Sequence, residues 1–407
     1  MQHIIVLGAG FAGLWSAAGA ARALDERGIE PDRVGITVVN ATPWHSIRVR
    51  NYESDLSETR VPLADVLDPI GVKLVMAEVT DISVADRLVT CASAEGAVRL
   101  AYDRLVFALG SRLVRPPVPG LREYAFDIDT YAAAARLGAH IASLGSQPPS
   151  PGRDTVLVVG AGLTGIEVAS EMPDRLRAAH RPARPRVILA DRAGWIGSDV
   201  GDSARPVIAE ALAALGVETR PRTAVVAIDA GGATLDTGEK IAADTVIWCA
   251  GMQANPLTAR LPVTRDRLGR LPVQPSLKIE GLTAEFAAGD AAWFAIDGTH
   301  GCVMSCQHAR PMGRFAGLNV VCDLLDEPMM NLAIGWYVTI LDLGPWGAVY
   351  TEGWDRKVVA RRDVAKRTKE AINRRRIYPP LSRVRGDILA AAAPVVQMPP
   401  AYSGGTA

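Results

Sequence analysis

Two stretches of the chain show the same order of apolar and polar positions. In each, a short apolar run of strand type ends in glycines spaced as GxGxxG, and a helical stretch follows at once. The first stretch covers residues 4–24 and the second covers residues 155–172. This order predicts a strand, a tight turn and a helix at both places, each opening a βαβ unit.

The three glycines of such a turn have different physical tasks. Gly8 permits the tight turn, Gly10 lets a pyrophosphate approach the backbone, and Gly13 lets the helix pack on the strand. The helix N-terminus then offers free N–H groups and a partial positive charge to the phosphates. The pattern predicts two dinucleotide sites, although the second cluster could be only a close-packed turn. That second cluster consists of Gly160, Gly162 and Gly165.

Each glycine turn is followed later in the chain by a hydrophobic strand that ends in glycine, at Gly110 and at Gly251. Such an ending suits a backbone that crosses close to a cofactor, so the chain contains a duplicated two-part nucleotide module. A Pro/Gly/Ser-rich linker, residues 146–152, marks a boundary. We therefore predict three domains. An FAD-type domain consists of residues 1–145 and 253–330, and a second nucleotide domain, residues 153–252, lies between these two parts. A C-terminal domain covers residues 331–407.

The residue that ends the second strand of each unit normally binds a ribose hydroxyl. Asn40 holds this place in the first unit, where an amide can still donate and accept; alternatively it merely opens a turn. Asp191 holds it in the second unit and favours a free 2′-hydroxyl, hence NADH. Arg192 beside it could instead meet a 2′-phosphate, so NADPH stays open.

Other segments have less specific patterns. Residues 44–53 are polar, aromatic and basic, and either fold over a pyrophosphate or flavin edge or form a salt-bridged surface. Residues 72–110 predict a β-meander inside the first domain, and its last run, residues 102–110, is expected to return the chain to the main sheet. Residues 315–325 predict a helix. A basic helical run, residues 356–376, either contacts anionic lipid or is a solvated helix face. Residues after Pro399 are predicted to be disordered.

Bulk properties narrow the class of protein. The chain has 407 residues, 49% of them hydrophobic, which predicts two or three domains. Its formal net charge is zero, which argues against a nucleic-acid binder. Five scattered cysteines favour a reducing compartment. Neither a signal peptide nor a membrane-spanning run is evident, so we expect a cytoplasmic protein, with peripheral contact at the inner face of the cell membrane open.

These pieces resemble the FAD-dependent pyridine nucleotide-disulfide oxidoreductase superfamily, and within it the type II NADH dehydrogenase branch. The resemblance covers roughly residues 1–355. It implies an α/β fold with two Rossmann-like dinucleotide-binding domains, each of three layers (ββα), and a C-terminal α+β domain. Its implied partners are NAD(P)H and an electron acceptor, with a homodimer left open; no metal site and no nucleic acid are expected.

The resemblance also implies a role for individual residues. FAD is expected on the first module, and its binding residues would be Gly8, Ala9, Gly10, Phe11, Ala12, Gly13, Asn40, Val79, Ala108, Leu109, Gly110 and Asp290. NADH, or NADPH, is expected on the second module, and its binding residues would be Gly160, Gly162, Leu163, Thr164, Gly165, Asp191 and Gly251. Glu167 matches a glutamate placed near the nicotinamide and the flavin. Gln307 matches the first glutamine of the quinone-site motif of the branch.

The chain departs from the branch in several places. Cys306 stands where the motif has alanine, and Pro311 stands where it has a second glutamine. Asn40 replaces the usual acid, and no clearly apolar anchor ends the chain. No redox CxxC or CxxxxC follows the first module's second strand; Cys302 and Cys306 could form a dithiol or could be small buried residues.

Three functions remain open on this basis. The first is an NAD(P)H:quinone oxidoreductase on the membrane, in which hydride passes to FAD and electrons then pass to a quinone. The second is a soluble reductase that uses a protein, a small molecule or oxygen as its acceptor. The third is a non-catalytic flavoprotein that senses NADH.

Overall fold

A computed structural model of the chain describes residues 1–180 and 185–399. The predicted disorder after Pro399 lies outside these residues. The described part contains two parallel five-stranded sheets, three antiparallel three-stranded sheets and three two-stranded pairs. Its helices are Phe11–Asp25, Ala64–Leu67, Leu121–Tyr124, Tyr131–Ser143, Leu163–His180, Arg205–Ala214, Cys306–Leu324, Arg362–Ala371 and Arg385–Ala391, and the last turn after Ala371, Ile372–Arg376, is a π-helix.

The first parallel sheet contains the strand that precedes the first glycine turn. That strand is completely buried from Ile4 to Leu7, because the sheet is covered on both faces. In spatial order the strands are Glu285–Ala287, Arg104–Phe107, Gln2–Leu7, Val34–Asn40 and Lys73–Met76. The predicted meander is therefore wrong at its start, since Lys73–Met76 pairs in parallel with Val34–Asn40 and extends this sheet.

The second parallel sheet repeats this arrangement around the second glycine turn. In spatial order its strands are Ala125–Phe126, Thr245–Trp248, Thr155–Val159, Arg186–Ala190 and Val217–Arg220. The predicted boundary placed residues 125–126 in the first domain, but Ala125–Phe126 pairs with Thr245–Trp248 and belongs to this sheet. A two-residue strand carries too little pattern to be assigned from sequence.

Antiparallel sheets supply the remaining layers. Buried residues of the first meander share one hydrophobic core with the first sheet, and those of the second meander pack on the second sheet. This three-layer arrangement confirms the predicted fold class. The strands are Glu78–Ser83, Leu88–Ser93 and Gly96–Ala101 in the first meander, Val225–Asp229, Gly232–Leu235 and Lys240–Ala242 in the second, and Val338–Asp342, Ala348–Glu352 and Lys357–Arg361 in the C-terminal sheet.

Short two-stranded pairs join these parts. Ser111–Leu113 and Met252–Ala254 pair antiparallel, and each directly follows the glycine that ends one of the two predicted cofactor-facing strands. The two modules are therefore connected at the carboxyl ends of their sheets. The other pairs are Trp44–Ser46 with Arg60–Pro62 and Leu271–Pro272 with Ala292–Trp293.

The predicted basic helix is wrong over its first third. Residues 357–361 form the edge strand of the C-terminal sheet, and the helix begins only at Arg362. The sequence 357–361, Lys-Val-Val-Ala-Arg, places β-branched residues next to one another, which favours a strand over a helix. The predicted helix at 315–325 begins earlier than expected, at Cys306.

Two helices cross at a distance that only glycine permits. The helix Phe11–Asp25 packs on Cys306–Leu324. A Cβ on Gly313 would lie 2.4 Å from the carbonyl oxygen of Ala12, and a Cβ on Gly317 would lie 2.3 Å from that of Ser16. This contact fixes the N-terminus of the later helix close to the first glycine turn.

We expect Gly317→Ala to destabilise the protein by about 1–3 kcal/mol, because the added methyl group must push the two helices apart. The free energy of unfolding in urea measures this effect. Gly386→Ala is the matched control, since no atom lies within 4 Å of a Cβ at this helical position. Equal stability of Gly317→Ala and Gly386→Ala would contradict the packing described here.

Candidate functional site

The first glycine turn has the geometry that its three predicted tasks require. Gly8 has a φ of +89°, and a Cβ there would lie 2.7 Å from the carbonyl oxygen of Ala108 on the neighbouring strand. A Cβ on Gly13 would lie 1.9 Å from the carbonyl oxygen of Gly8. A Cβ on Gly10 meets no atom within 4 Å. Gly8 and Gly13 are therefore fixed by packing, whereas Gly10 faces open space that a phosphate group could enter.

The second glycine turn repeats this geometry. Gly160 has a φ of +101°, and a Cβ on Gly165 would lie 1.7 Å from its carbonyl oxygen. Gly162, like Gly10, has no atom within 4 Å of a Cβ position. The chain therefore presents two equivalent open backbone cradles, each at the N-terminus of a helix, where N–H groups favour a bound phosphate.

The residues predicted to bind ribose hold the glycine turns in place. Asn40 accepts a hydrogen bond from the N–H of Ala9 at 3.0 Å, and Asp191 accepts one from the N–H of Ala161 at 2.5 Å. Each side chain thus links the end of the second strand to the turn. Arg192 is exposed. The ribose roles of Asn40 and Asp191 stay predictions.

A cavity of about 810 Å³ lies where both modules and the C-terminal domain meet. Many of the residues predicted for FAD, NADH and the acceptor line it: Ala9, Gly10, Phe11, Ala12, Asn40, Ala108, Gly110, Leu163, Thr164, Glu167, Asp290 and Gln307. The structure thus brings the first glycine turn, the start of the second module's helix and the Gly-Asp pair at residues 289–290 to one cavity.

Other predicted residues are not among the described residues that line this cavity. Gly8, Gly13, Gly160 and Gly165 are closed off by the backbone contacts given above. Val79 is buried in the first meander, and Gly251 packs against Val114. The remaining residues outside the lining are Leu109, Gly162 and Asp191. A contact of Val79 with adenine and of Gly251 with a nucleotide stays a prediction.

Two arginines of the segment 44–53 have different surroundings: Arg48 lies at the cavity, and Arg50 forms a salt bridge within the segment. Arg48 lines the cavity, forms an ion pair with Asp129 and lies 3.9 Å from Asp290. Asp290 also accepts a hydrogen bond from the Ser111 hydroxyl at 2.6 Å. Arg50 instead pairs with Glu53 at 2.7 Å, which confirms the predicted salt bridge, but Arg50 is buried and the pair does not lie on the surface. Burial raises the pKa of Asp290, and Ser111 and Arg48 oppose that rise.

His45 stabilises the first glycine turn through a hydrogen bond to its backbone. Its ring is completely buried, and Nδ1 lies 2.8 Å from the carbonyl oxygen of Ala9. Burial lowers the pKa of His45 to about 4, so the ring is neutral at pH 7. A neutral ring that donates to a carbonyl must carry its proton on Nδ1. His45 therefore fixes the turn as a neutral hydrogen-bond donor.

Glu167 lies on the cavity wall and takes part in a buried ion pair that the sequence did not reveal. Lys369 Nζ donates to Glu167 Oε1 at 2.7 Å and to the carbonyl of Ile340 at 3.0 Å. The N–H of Asp342 also donates to Oε1, at 3.2 Å. Burial raises the pKa of Glu167, and Lys369 opposes that rise. The pair connects the second module to the C-terminal domain.

The basic run therefore does not form one solvated face. Lys369 is buried against Glu167, and Lys366 lies 2.6 Å from Asp342. Tyr52 donates to the same carboxylate at 3.0 Å. No periodic signal distinguishes these lysines from their exposed neighbours, because their partners are far away in sequence and only the folded chain brings them together.

Gln307 occupies the N-terminus of the helix Cys306–Leu324. Its Oε1 accepts from the N–H of Val338 at 3.2 Å. Its Nε2 is buried and has no hydrogen-bond partner in the described part of the chain. Pro311 has no N–H, so it cannot donate to the Gln307 carbonyl as a helical residue normally would. Gln307 itself lines the cavity, and it lies at a helix N-terminus that favours negative charge.

The cysteines are reduced in the structure. Cys302 is buried and its thiol donates to the carbonyl of Ala292 at 3.3 Å, while Cys306 lines the cavity. Burial raises the pKa of both thiols. Both are therefore protonated at neutral pH, which fits small buried residues better than a reactive dithiol.

Comparison with known proteins adds to this geometry. The pyridine nucleotide-disulphide oxidoreductase family matches residues 2–313. An NADH dehydrogenase-like protein of Mycobacterium tuberculosis is 55% identical over 403 residues, which are 98% of this chain and 100% of that protein. A type II NADH:quinone oxidoreductase of Staphylococcus saprophyticus is 26% identical over 311 residues, 72% of this chain and 75% of that protein.

A solved structure has a similar fold. The structure of NDH2 from Plasmodium falciparum in complex with NADH has a TM-score of 0.77 and 13% identity, and covers 96% of this chain and 97% of that one. This likeness supports the fold. The family and sequence matches confirm the predicted resemblance, the enzyme class and the cofactors, FAD with a pyridine nucleotide.

A second carboxyl group, that of Glu171, lies near the ion pair and makes the free energy of unfolding depend on pH. Glu171 lies one turn after Glu167, and burial, with Asp342 adding to it, raises the pKa of Glu171 to about 7. In the unfolded chain this group loses its proton near pH 4.5. The folded state binds more protons between these values, so this contribution to stability falls as the pH rises through the window.

We expect Glu171→Gln to raise the melting temperature by a few degrees at pH 8 and to change it little at pH 4, because glutamine removes the cost of a buried charge. Thermal unfolding at both pH values measures this difference. Glu370→Gln changes the same group at an exposed position of the basic helix and serves as control. A shift of equal size at both pH values would show that the proton of Glu171 is not the cause.

Proposed function

Since the chain belongs to the pyridine nucleotide-disulphide oxidoreductase family, we propose that it transfers hydride from NADH to FAD and passes the electrons to a quinone. The observation that carries this proposal is that both modules and the C-terminal domain line one shared cavity. The names of the mycobacterial and staphylococcal relatives support NADH as donor and a quinone as acceptor. Asp191, an acid at the ribose position, also favours NADH over NADPH.

Each wall of the cavity has a different origin. The first glycine turn forms one wall, and Leu163, Thr164 and Glu167 of the second module form another. Residues 336–340 of the C-terminal domain, with Ile372, Asn373, Arg376 and Ile377, form the third. Two dinucleotides would occupy the first two walls, so the third leaves room for an acceptor. Trp336, Ile340 and Ile372 give this third wall the apolar surface that a quinone ring requires.

When bound, FAD supplies the acceptance of hydride and the release of electrons. The chain's own residues bind and orient the two cofactors and exclude water from the cavity. Glu167 cannot rotate freely, because Lys369 and the N–H of Asp342 hold its Oε1. Its other oxygen is then set to orient a nicotinamide carboxamide. Gln307 would donate through Nε2 to a carbonyl group in the cavity.

Anaerobic stopped-flow measurement tests the proposal. NADH should bleach the flavin of the wild-type protein, and a quinone should then restore its colour. We expect Glu167→Gln to slow the first step at least about tenfold, because an uncharged side chain no longer pairs with Lys369 and loses its fixed orientation. The reoxidation by quinone should change less than the reduction by NADH.

The matched control is Glu210→Gln. Glu210 also pairs with the basic helix, 2.6 Å from Arg362, but on the surface. An unchanged reduction rate in Glu167→Gln would remove this residue from the mechanism. A reduced flavin that no quinone reoxidises would contradict the quinone assignment and leave the NADH half-reaction intact.

The place of the protein in the cell is a further part of the proposal. No helix within residues 1–180 and 185–399 combines the length and the apolar character needed to cross a bilayer. Several basic residues of the C-terminal domain remain exposed: Lys357, Arg361, Arg367, Arg374 and Arg375. We propose that they contact an anionic membrane surface, where a quinone is dissolved.

We expect the protein to sediment with vesicles that contain phosphatidylglycerol and to stay in the supernatant with pure phosphatidylcholine. Each basic residue near such a surface contributes about 1 kcal/mol, so Arg374→Glu with Arg375→Glu should weaken binding more than about tenfold. Lys240→Glu, on the second meander, is the control. Binding that is equal for both lipids would exclude the charge-based contact.

A further inference from the structure

Two buried arginines face the cavity without a negative partner. Arg310 and Arg314 are four residues apart on the helix Cys306–Leu324, so they lie on the same face. Their side chains line the cavity, and the residues are 8% and 2% exposed. Arginine is almost never buried to this degree unless it is paired.

No hydrogen bond or ion pair of either guanidinium occurs in the part of the chain that the structure describes. The Nε atom of each is buried and has no partner there. The carboxylates on the cavity wall are already engaged with other groups, Glu167 with Lys369 and Asp129 with Arg48. Asp290 is held by Ser111 and lies near Arg48.

Neighbouring charges increase the cost of this burial. Burial lowers the pKa of Arg310 to about 10 and that of Arg314 to about 9, and Arg376 contributes to both by repulsion. Both arginines stay charged at pH 7. The ring of Trp15 compensates in part, since it lies 4.4 Å from Cζ of Arg314 and 5.4 Å from that of Arg310. An unpaired buried charge is otherwise strongly destabilising.

Neutral donors lie on the same walls. Nε2 of Gln307 and Nδ2 of Asn373 are buried and lack partners among the described residues. Arg376 also lines the cavity beside Asn373. This side of the cavity therefore offers donors and positive charge, and a bound group must supply the acceptors.

We propose that the electron acceptor of this protein carries an anionic group, such as a carboxylate or an acidic ring substituent, which Arg310 and Arg314 bind in the cavity. This inference rests on the proposed function, in which the acceptor is a quinone. In the overall reaction NADH and one proton convert the quinone to the hydroquinone, and the anionic group is unchanged.

FAD itself also carries anionic groups, in its pyrophosphate. The open space at Gly10 and the helix N-terminus behind it already provide a cradle for that group. Arg314 lies about 10 Å along its helix from Gln307, since a helix rises about 1.5 Å per residue. Arg376 of the C-terminal domain lines the same cavity and is close enough to Arg314 to repel it, and the acceptor is proposed to bind on that domain.

Two naphthoquinones that differ in charge test the inference. The kcat/KM values for naphthoquinone sulfonate and for neutral menadione are measured, and their ratio is compared among variants. We expect Arg310→Gln and Arg314→Gln to lower this ratio at least about tenfold, because each removes one charge-assisted contact. Arg314→Lys should retain part of the ratio. Arg99→Gln, at an exposed position of the first meander, should leave it unchanged.

Wild-type protein provides a measurement that does not depend on the folding of a variant. Naphthoate cannot be reduced, and it should inhibit menadione turnover competitively, at least tenfold more strongly than neutral naphthalene methanol. Equal inhibition by the two compounds would overturn the inference, and so would a ratio of kcat/KM that the arginine substitutions leave unchanged.

Two further outcomes separate the alternatives. Loss of FAD from Arg310→Gln or Arg314→Gln, with an unchanged ratio in the remaining holoenzyme, would assign the arginines to the FAD pyrophosphate and overturn the inference. No turnover with either quinone would contradict the proposed function, whereas turnover of both with no effect of charge contradicts this inference alone.

Discussion

The buried ion pair between Glu167 and Lys369 is the contact on which the site depends. It joins the helix of the second nucleotide module to the helix of the C-terminal domain, and both residues face the same cavity. Removal of one partner from a buried pair typically costs about 3–5 kcal/mol, because the other charge is left in a poor solvent. The pair therefore holds the third wall of the cavity in place. It also fixes the orientation of Glu167, which a more exposed carboxylate would not retain.

The site also depends on close backbone contacts that are possible only because the residues there are glycines without a Cβ atom. The glycine turns close because Gly13 and Gly165 have no Cβ, and the two helices that meet at Gly313 and Gly317 approach for the same reason. These contacts place the N-terminus of the helix Cys306–Leu324 beside the first glycine turn. The positions of Gln307, Arg310 and Arg314 in the cavity thus follow from glycines elsewhere in the chain, since a helix carries its side chains rigidly once its axis is fixed.

The sequence pattern predicts those parts of the fold whose contacts are between residues close in sequence. Spacing predicts the glycine turns with their flanking strands and helices, because the physical tasks of these turns involve residues that are close in sequence. The strand Ala125–Phe126 was not predicted, since two residues carry no periodicity and its partner lies more than a hundred residues later. Lys369 was predicted within a solvated or lipid-facing run. Nothing in a basic run distinguishes the lysine that meets a buried carboxylate from its exposed neighbours. Arg310 and Arg314 could have been noticed, because a spacing of four places two cations on one helix face.

The two sides of the cavity differ in how their charges are balanced. On the dinucleotide side, each carboxylate has a partner: Glu167 has Lys369, and Asp129 has Arg48. On the side of the long helix, Arg310 and Arg314 lie against the face of Trp15 and have no carboxylate partner among the residues that the structure describes. A protein that bound only uncharged rings would gain nothing from two buried guanidinium groups, since aliphatic side chains of similar volume would pack there at lower cost. The imbalance is therefore explained by a negative charge that arrives with a ligand, and Arg310 and Arg314 line the cavity at the place where that charge would be bound.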